Sequence, residues 1–170
     1  MKTTVADVCR FMNEIAPVRF AEEWDNPGLS VGDPNKPVKK IMLALDLMPE
    51  VAKQAVDAKV DMIVTHHPLY FKLPKTLAVT DIKMYFIYEL IKHDIAAYAA
   101  HTNLDAAPGG VNDVLAKKLG LTNVKTLEEE GREQGIPRMG TLKEPMKLAD
   151  FALKVKKALH CDGVAFTEGG

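Results

Sequence analysis

The sequence predicts an α/β fold, a three-layer arrangement around a largely parallel sheet built from βαβ units. Two observations predict it. Three short apolar runs, "IMLAL" (41–45), "DMIVT" (61–65) and "IAAYAA" (95–100), are separated by segments of helical periodicity. That alternation is the signature of parallel strands joined by right-handed crossovers. The polar residues that stop the runs are Asp46, then Thr65-His66-His67, then His101 through Asp105. All of them would fall on the carboxyl edge of such a sheet, where ligands of this fold class gather.

Taken in order, residues 4–15 place Val5, Val8, Met12 and Ile15 on one stripe, with a threonine as N-cap and Pro17 beyond the end, so an amphipathic helix is expected. Cys9 falls on its apolar face and reads as a small buried thiol. "WDNPGL" (24–29) is a turn-prone connection, with Trp24 expected in the core. "IMLAL" is continuously apolar, as in a strand covered on both faces. Pro49 then opens a short helix, "PEVAKQAVDAK". After the second buried strand, Thr80 can cap "DIKMYFIYELIKH", whose apolar face is Ile82, Phe86, Ile87, Leu90 and Ile91. The third strand follows directly. "PGGVNDVLAKKLG" is a helix entered through glycines and stopped by Gly120. From Leu121 to Pro145 the composition is polar, with "LEEEGREQG" the most loop-like stretch. "MKLADFALKVKKAL" then puts Leu148, Phe151, Val155 and Leu159 on one helical face. The expected division is residues 1–125 as an α/β metal-binding domain and 126–170 as a connecting segment and the start of a second module.

Composition excludes several functions. Lys plus Arg number 22 against 23 Asp plus Glu, for a formal charge of -1, and the basic doublets are scattered among acids. This is no nucleic-acid footprint. Asp7, Arg10 and Glu14 interrupt the N-terminal stretch, no apolar run approaches spanning length, and the chain reads as a soluble cytoplasmic protein with no membrane partner. Two cysteines form neither a disulfide framework nor a CxxC site. There is no GxxxxGK[ST] loop, and no GxSxG elbow for a serine nucleophile.

The chemistry lies in "THHPLYF" (65–71) and "AHTNLDAAPGG" (100–110). Two of the five histidines are adjacent. On extended backbone their rings point to opposite faces, and Pro68 biases His67 toward extension, so they are expected to diverge and straddle two ions. A carboxylate reaching between divergent imidazoles, here Asp105 with His101 beside it, is an ordinary way to hold paired divalent transition ions. Asp46 reads first as a helix cap or a solvent-facing group, with orientation of a ligand imidazole as the alternative. His93, in the last turn of a helix, reads as structural.

"EEWDNPGLSVGD" (22–33), "IMLALDLMPEV" (41–51), "MIVTHHPLYFK" (62–72) and "AAHTNLDAAPGGVND" (99–113), in this order, resemble the Ngg-one-interacting-factor-three-like family. Its bacterial members are labelled GTP cyclohydrolase I type 2 homologs. The resemblance covers essentially the whole chain. It implies an α/β protein with a dinuclear site for divalent transition metal (Zn, Fe, Mn, Ni or Co) and a ring-shaped homohexamer. It also implies His66, His67 and Asp105 as ligands, with His101 lining the site, and places "WDNPGL" near its rim. A further histidine and glutamate, four apart, are implied from a C-terminal segment. His160 and Glu168, eight apart, stand where the family has neither ligand, so the 170 residues look like the N-terminal portion of a longer protein.

The expected function is a metal-dependent hydrolase acting on a nucleotide or another phosphorylated small molecule, with His101 as the catalytic proton carrier. The alternative is a non-catalytic metal-binding or partner-binding module.

Overall fold

The structure, a computed structural model, describes residues 2–72, 74–76, 78–79, 82–127 and 133–167, and all their side chains except that of Lys83. The chain divides into two compact units, Met1–Ala107 and Pro108–Gly170.

In the first unit, α1 (Val5–Ile15) begins with a capping box: Thr4 Oγ1 accepts from the Asp7 amide and Asp7 Oδ2 accepts from the Thr4 amide. Two orphan amides of the first turn are thereby satisfied. Strands β1 (Gly28–Val31), β2 (Ile41–Ala44), β3 (Met62–Thr65) and β4 (Ala96–Ala99) form one sheet in the order β1-β4-β3-β2. β2, β3 and β4 are parallel, in the register Ile41↔Met62 and Met62↔Ala96. The helices α2 (Pro49–Asp57) and α3 (Ile82–Lys92) connect them, and a short α4 (Thr102–Ala106) follows β4.

Side chains alternate along a strand, so the buried strands β3 and β4 feed two cores. Ile63 and Ala97 pack with Ala52 and Ala55 of α2 and with Phe86, Ile87 and Leu90 of α3. Met62, Val64, Ala96 and Tyr98 pack with Val5 of α1. Helices on both faces of a mostly parallel sheet give the three layers that the alternation of elements predicts.

Several details differ from expectation. β2 is an edge strand, and Ile41, Leu43 and Leu45 are 42%, 79% and 63% exposed. Continuous apolarity suggested cover on both faces, but α1 packs over β3 and β4 instead. β1, hidden in a glycine-containing turn region, adds an antiparallel edge to β4. It is followed by Gly32, whose φ of +121° is costly for other residues and whose added Cβ would lie 2.6 Å from Ala96 Cβ. Glycine lets the backbone leave the sheet there. Trp24, expected in the core, is 58% exposed, because its loop runs along the surface beside the strand ends. The expected Thr80 cap lies outside the described residues.

The second unit holds α5 (Val111–Lys118), α6 (Leu148–Leu159) and an antiparallel pair, β5 (Leu121–Thr126) and β6 (Arg138–Leu142). The polar stretch read as a connection therefore contains two strands. Arg138, with a side chain only 4% exposed, pairs with Asp113 of α5 and donates to the Gly135 and Ile136 carbonyls. α5 and β5 belong to this unit, so the division falls after Ala107 rather than near residue 125. No helix among the described residues is long and apolar enough to cross a membrane.

Candidate metal centre

Parallel strands β3 and β4 end side by side, so the residues that follow them meet. Thr65 Oγ1 donates to the His67 carbonyl at 2.8 Å, and the chain bends immediately after β3 instead of continuing extended. The bend overturns the expected divergence of the two rings. His66 and His67 have centroids 5.0 Å apart, and His101 lies 5.1 and 5.5 Å from them. One ring nitrogen from each of the three lies within 4.8 Å of the others. His101 is the N-cap of α4, and Asp105 sits one turn further on. Its Oδ1 is 3.7 Å from His66 Nε2, each side chain one-fifth exposed.

The Nδ1 atoms are all engaged. His66 Nδ1 is 3.0 Å from the Ala100 carbonyl, His67 Nδ1 is 2.7 Å from Asp46 Oδ1, and His101 Nδ1 is 2.9 Å from Asp25 Oδ1. A carbonyl or an ionised carboxylate can only accept, so each Nδ1 carries the proton. In the neutral ring that leaves the Nε2 lone pair available, which is how the outer partners of metal-bound histidines fix their tautomer. The donor set fits a transition ion: convergent imidazoles with a carboxylate alongside.

Asp46 thus orients His67. The first reading, as a helix cap, does not hold, since Met48 is the N-cap of α2 and no side chain caps that helix. Asp25, placed by the sequence only in a turn near the rim, is the residue that local reasoning missed. Its side chain is fully buried and accepts from the amides of Asn26 and Thr102 at 2.7 and 3.0 Å, from Thr102 Oγ1 and from His101. Burial pushes its carboxyl pKa up, but the bonds from Thr102, His101 and the two amides outweigh that and hold it below the ordinary value. His101 is 76 residues away in sequence, and no local pattern signals that pairing.

The remaining sequence candidates stay outside the cluster. His93 faces Glu89, one turn earlier, at 3.5 Å. Cys9 is half-buried against the α1 side of the core, and desolvation raises its thiol pKa, the environment of an inert thiol. His160 caps the end of α6 in the second unit with φ +53°, and Glu168 lies outside the described residues.

The chain is similar to proteins already known. A Listeria monocytogenes "GTP cyclohydrolase 1 type 2 homolog" is 47% identical over 118 residues, 69% of this chain and 32% of that protein. The Clostridium acetobutylicum protein of the same name is 33% identical over 98% of this chain and 63% of its own length. The chain therefore spans from about a third to three-fifths of the relatives it matches. Among solved structures, Staphylococcus aureus protein SA1388 superposes with a TM-score of 0.84 at 29% identity, over 96% of this chain and 66% of that one. Reduced HcgD from Methanocaldococcus jannaschii gives 0.79 at 35% identity, over 92% and 60%. The profile of the Duf34/NIF3 (NGG1p interacting factor 3) family matches residues 3–170, and the chain belongs to that family.

Proposed function

We propose that the chain carries the histidine side of a metal-dependent hydrolytic site acting on a nucleotide or another phosphorylated small molecule. The observation that carries this reading is the triple Nδ1 arrangement: oxygen acceptors lock all three imidazoles, leaving Nε2 of His66 and His67 to coordinate and Nε2 of His101 to carry a proton. In this reading His66, His67 and Asp105 are ligands of a divalent transition ion, with two ions in the complete family site. Such an ion, when bound, lowers the pKa of a water and polarises a substrate oxygen.

The chain's own residues do the rest. Ala100 and Asp46 hold the rings of His66 and His67 in their coordinating tautomer. His101 receives and returns the proton at Nε2, while Asp25, buried against Nδ1, steadies the imidazolium formed in between. The nucleotide assignment rests on the relatives' printed name. A homo-oligomeric assembly, up to the ring hexamer of the family resemblance, is part of the same proposal and is supported by the exposed apolar side of β2.

The test has two stages. Elemental analysis after loading with Zn, Mn, Fe, Ni or Co should find bound metal in the wild type and less in His67→Ala. The loaded protein is then assayed against a panel of nucleotides and phosphoesters. Turnover that His101→Gln abolishes without loss of metal supports the hydrolase. Metal binding with no turnover of any member supports the non-catalytic metal-binding module instead.

A further inference from the structure

We infer that Trp24 and Phe71 form a stacking platform for a planar heteroaromatic ring at the mouth of the histidine cluster. This deepens the proposed function by assigning the substrate class of the same site.

Trp24 and Phe71 are 58% and 51% exposed. Their ring centroids are 5.6 Å apart and their planes inclined at 59°, so a planar ring lying on one meets the other edge-on. Both also contact the site, each with its centroid 5.9 Å from that of His101. Isolated exposed apolar side chains are ordinary on protein surfaces, and this chain has many. What sets these two apart is that they touch each other and a proposed reacting group.

Their exposure is also built in. The loop carrying Trp24 is fastened at one side by the Glu22 amide donating to Thr102 Oγ1 at 3.0 Å and by the buried Asp25 carboxylate. On the other side Asn26 Nδ2 donates to the Tyr70 carbonyl at 2.9 Å, next to Phe71. Tyr70 is in turn held by its hydroxyl, 3.3 Å from the Ser30 carbonyl. Backbone fastened on both sides keeps two large aromatic faces in water without letting them fold inward. Preorganised aromatic faces bind bases by stacking at little entropic cost. A ring seated there would project its substituents toward His101, with the reacting group at the cluster.

Trp24 is the only tryptophan, so its emission reports the platform directly. Guanosine, an uncharged nucleoside with a planar base, is titrated into the metal-free and the metal-loaded 170-residue protein, with ribose as the uncharged control that lacks the aromatic base. Saturable quenching by guanosine alone is expected. Phe71→Ala and Phe71→Leu should each weaken guanosine binding about tenfold, with far-UV circular dichroism and metal stoichiometry unchanged. Phe71→Leu keeps apolar bulk and removes only the aromatic face.

No quenching, equal quenching by the control, or wild-type affinity in both Phe71 variants would overturn the platform. So would a concentration-dependent blue shift showing that a second copy covers Trp24. The two proposals fail separately. Ring binding without metal uptake keeps the platform and removes the hydrolase reading, whereas metal uptake without ring binding removes the platform alone.

Discussion

Replacing Asp25 by asparagine keeps the volume of a fully buried side chain and removes only its charge and half of its accepting capacity. Oδ1 accepts from Asn26 and His101, and Oδ2 accepts from the amide and hydroxyl of Thr102. An asparagine that keeps its oxygen toward His101 must turn its NH2 toward the Thr102 amide, leaving two donors facing each other. The hydroxyl can rotate to accept, but the amide cannot. One buried amide left unsatisfied costs about 1–3 kcal/mol. Exchanging charge-assisted bonds for neutral ones at Asn26 and His101 adds roughly 1 kcal/mol. The expected loss at pH 7 is therefore about 2–4 kcal/mol, readable as a lowered urea midpoint with an unchanged m-value. Because His101 loses the carboxylate that fixes its tautomer and steadies its imidazolium, turnover by the metal-loaded protein should also fall, with metal stoichiometry unchanged.

The pH dependence has a definite sign. Asp25's pKa in the folded state lies below its ordinary value of 3.8, so its contribution is complete above that value. It is lost as pH falls through the depressed folded pKa. The stability gap between wild type and Asp25→Asn should therefore be constant from neutral pH down to about 5 and narrow only below about 4. Wild-type stability in the variant at pH 7, or a gap that closes near pH 6, would refute the account of Asp25 as an ionised, fully hydrogen-bonded anchor.

Four further outcomes are expected. Asp46→Ala should lower metal affinity about 10–100-fold with little change in the urea midpoint, since its side chain is 47% exposed; isothermal titration calorimetry with Zn separates the two effects. Gly32→Ala should cost about 2–3 kcal/mol in urea unfolding, from a strained φ together with the 2.6 Å approach to Ala96 Cβ. Arg138→Met should destabilise the second unit by about 1–3 kcal/mol by removing the guanidinium donors to Asp113 and to the Gly135 and Ile136 carbonyls, measured by hydrogen exchange in β5 and β6. Leu43→Glu, on the exposed side of the β2 edge, should reduce self-association in sedimentation velocity without lowering stability, because charge on an edge strand opposes edge-to-edge pairing.

Local periodicity by itself determined much of this protein: α1 with its threonine cap, the buried strands β3 and β4, the helices between strands, and the placing of His66, His67, His101 and Asp105 at strand ends. These are properties of neighbouring residues, since alternation and 3.6-residue spacing are written within a dozen positions. The same reasoning failed where the deciding partner is remote. "IMLAL" is apolar enough for a central strand, yet its place at the edge depends on which strand lies beside it. β1 owes its existence to pairing with β4, and β5 with β6 to each other, not to strong patterns of their own. In the site, the sequence supplied the residue types but not their convergence. The bend after Thr65 brings together two rings that an extended backbone would separate. Asp25 reaches His101 only because the 22–28 loop passes over the end of β4. A buried carboxylate takes its role from the donors around it, and those donors are assembled by the tertiary fold alone.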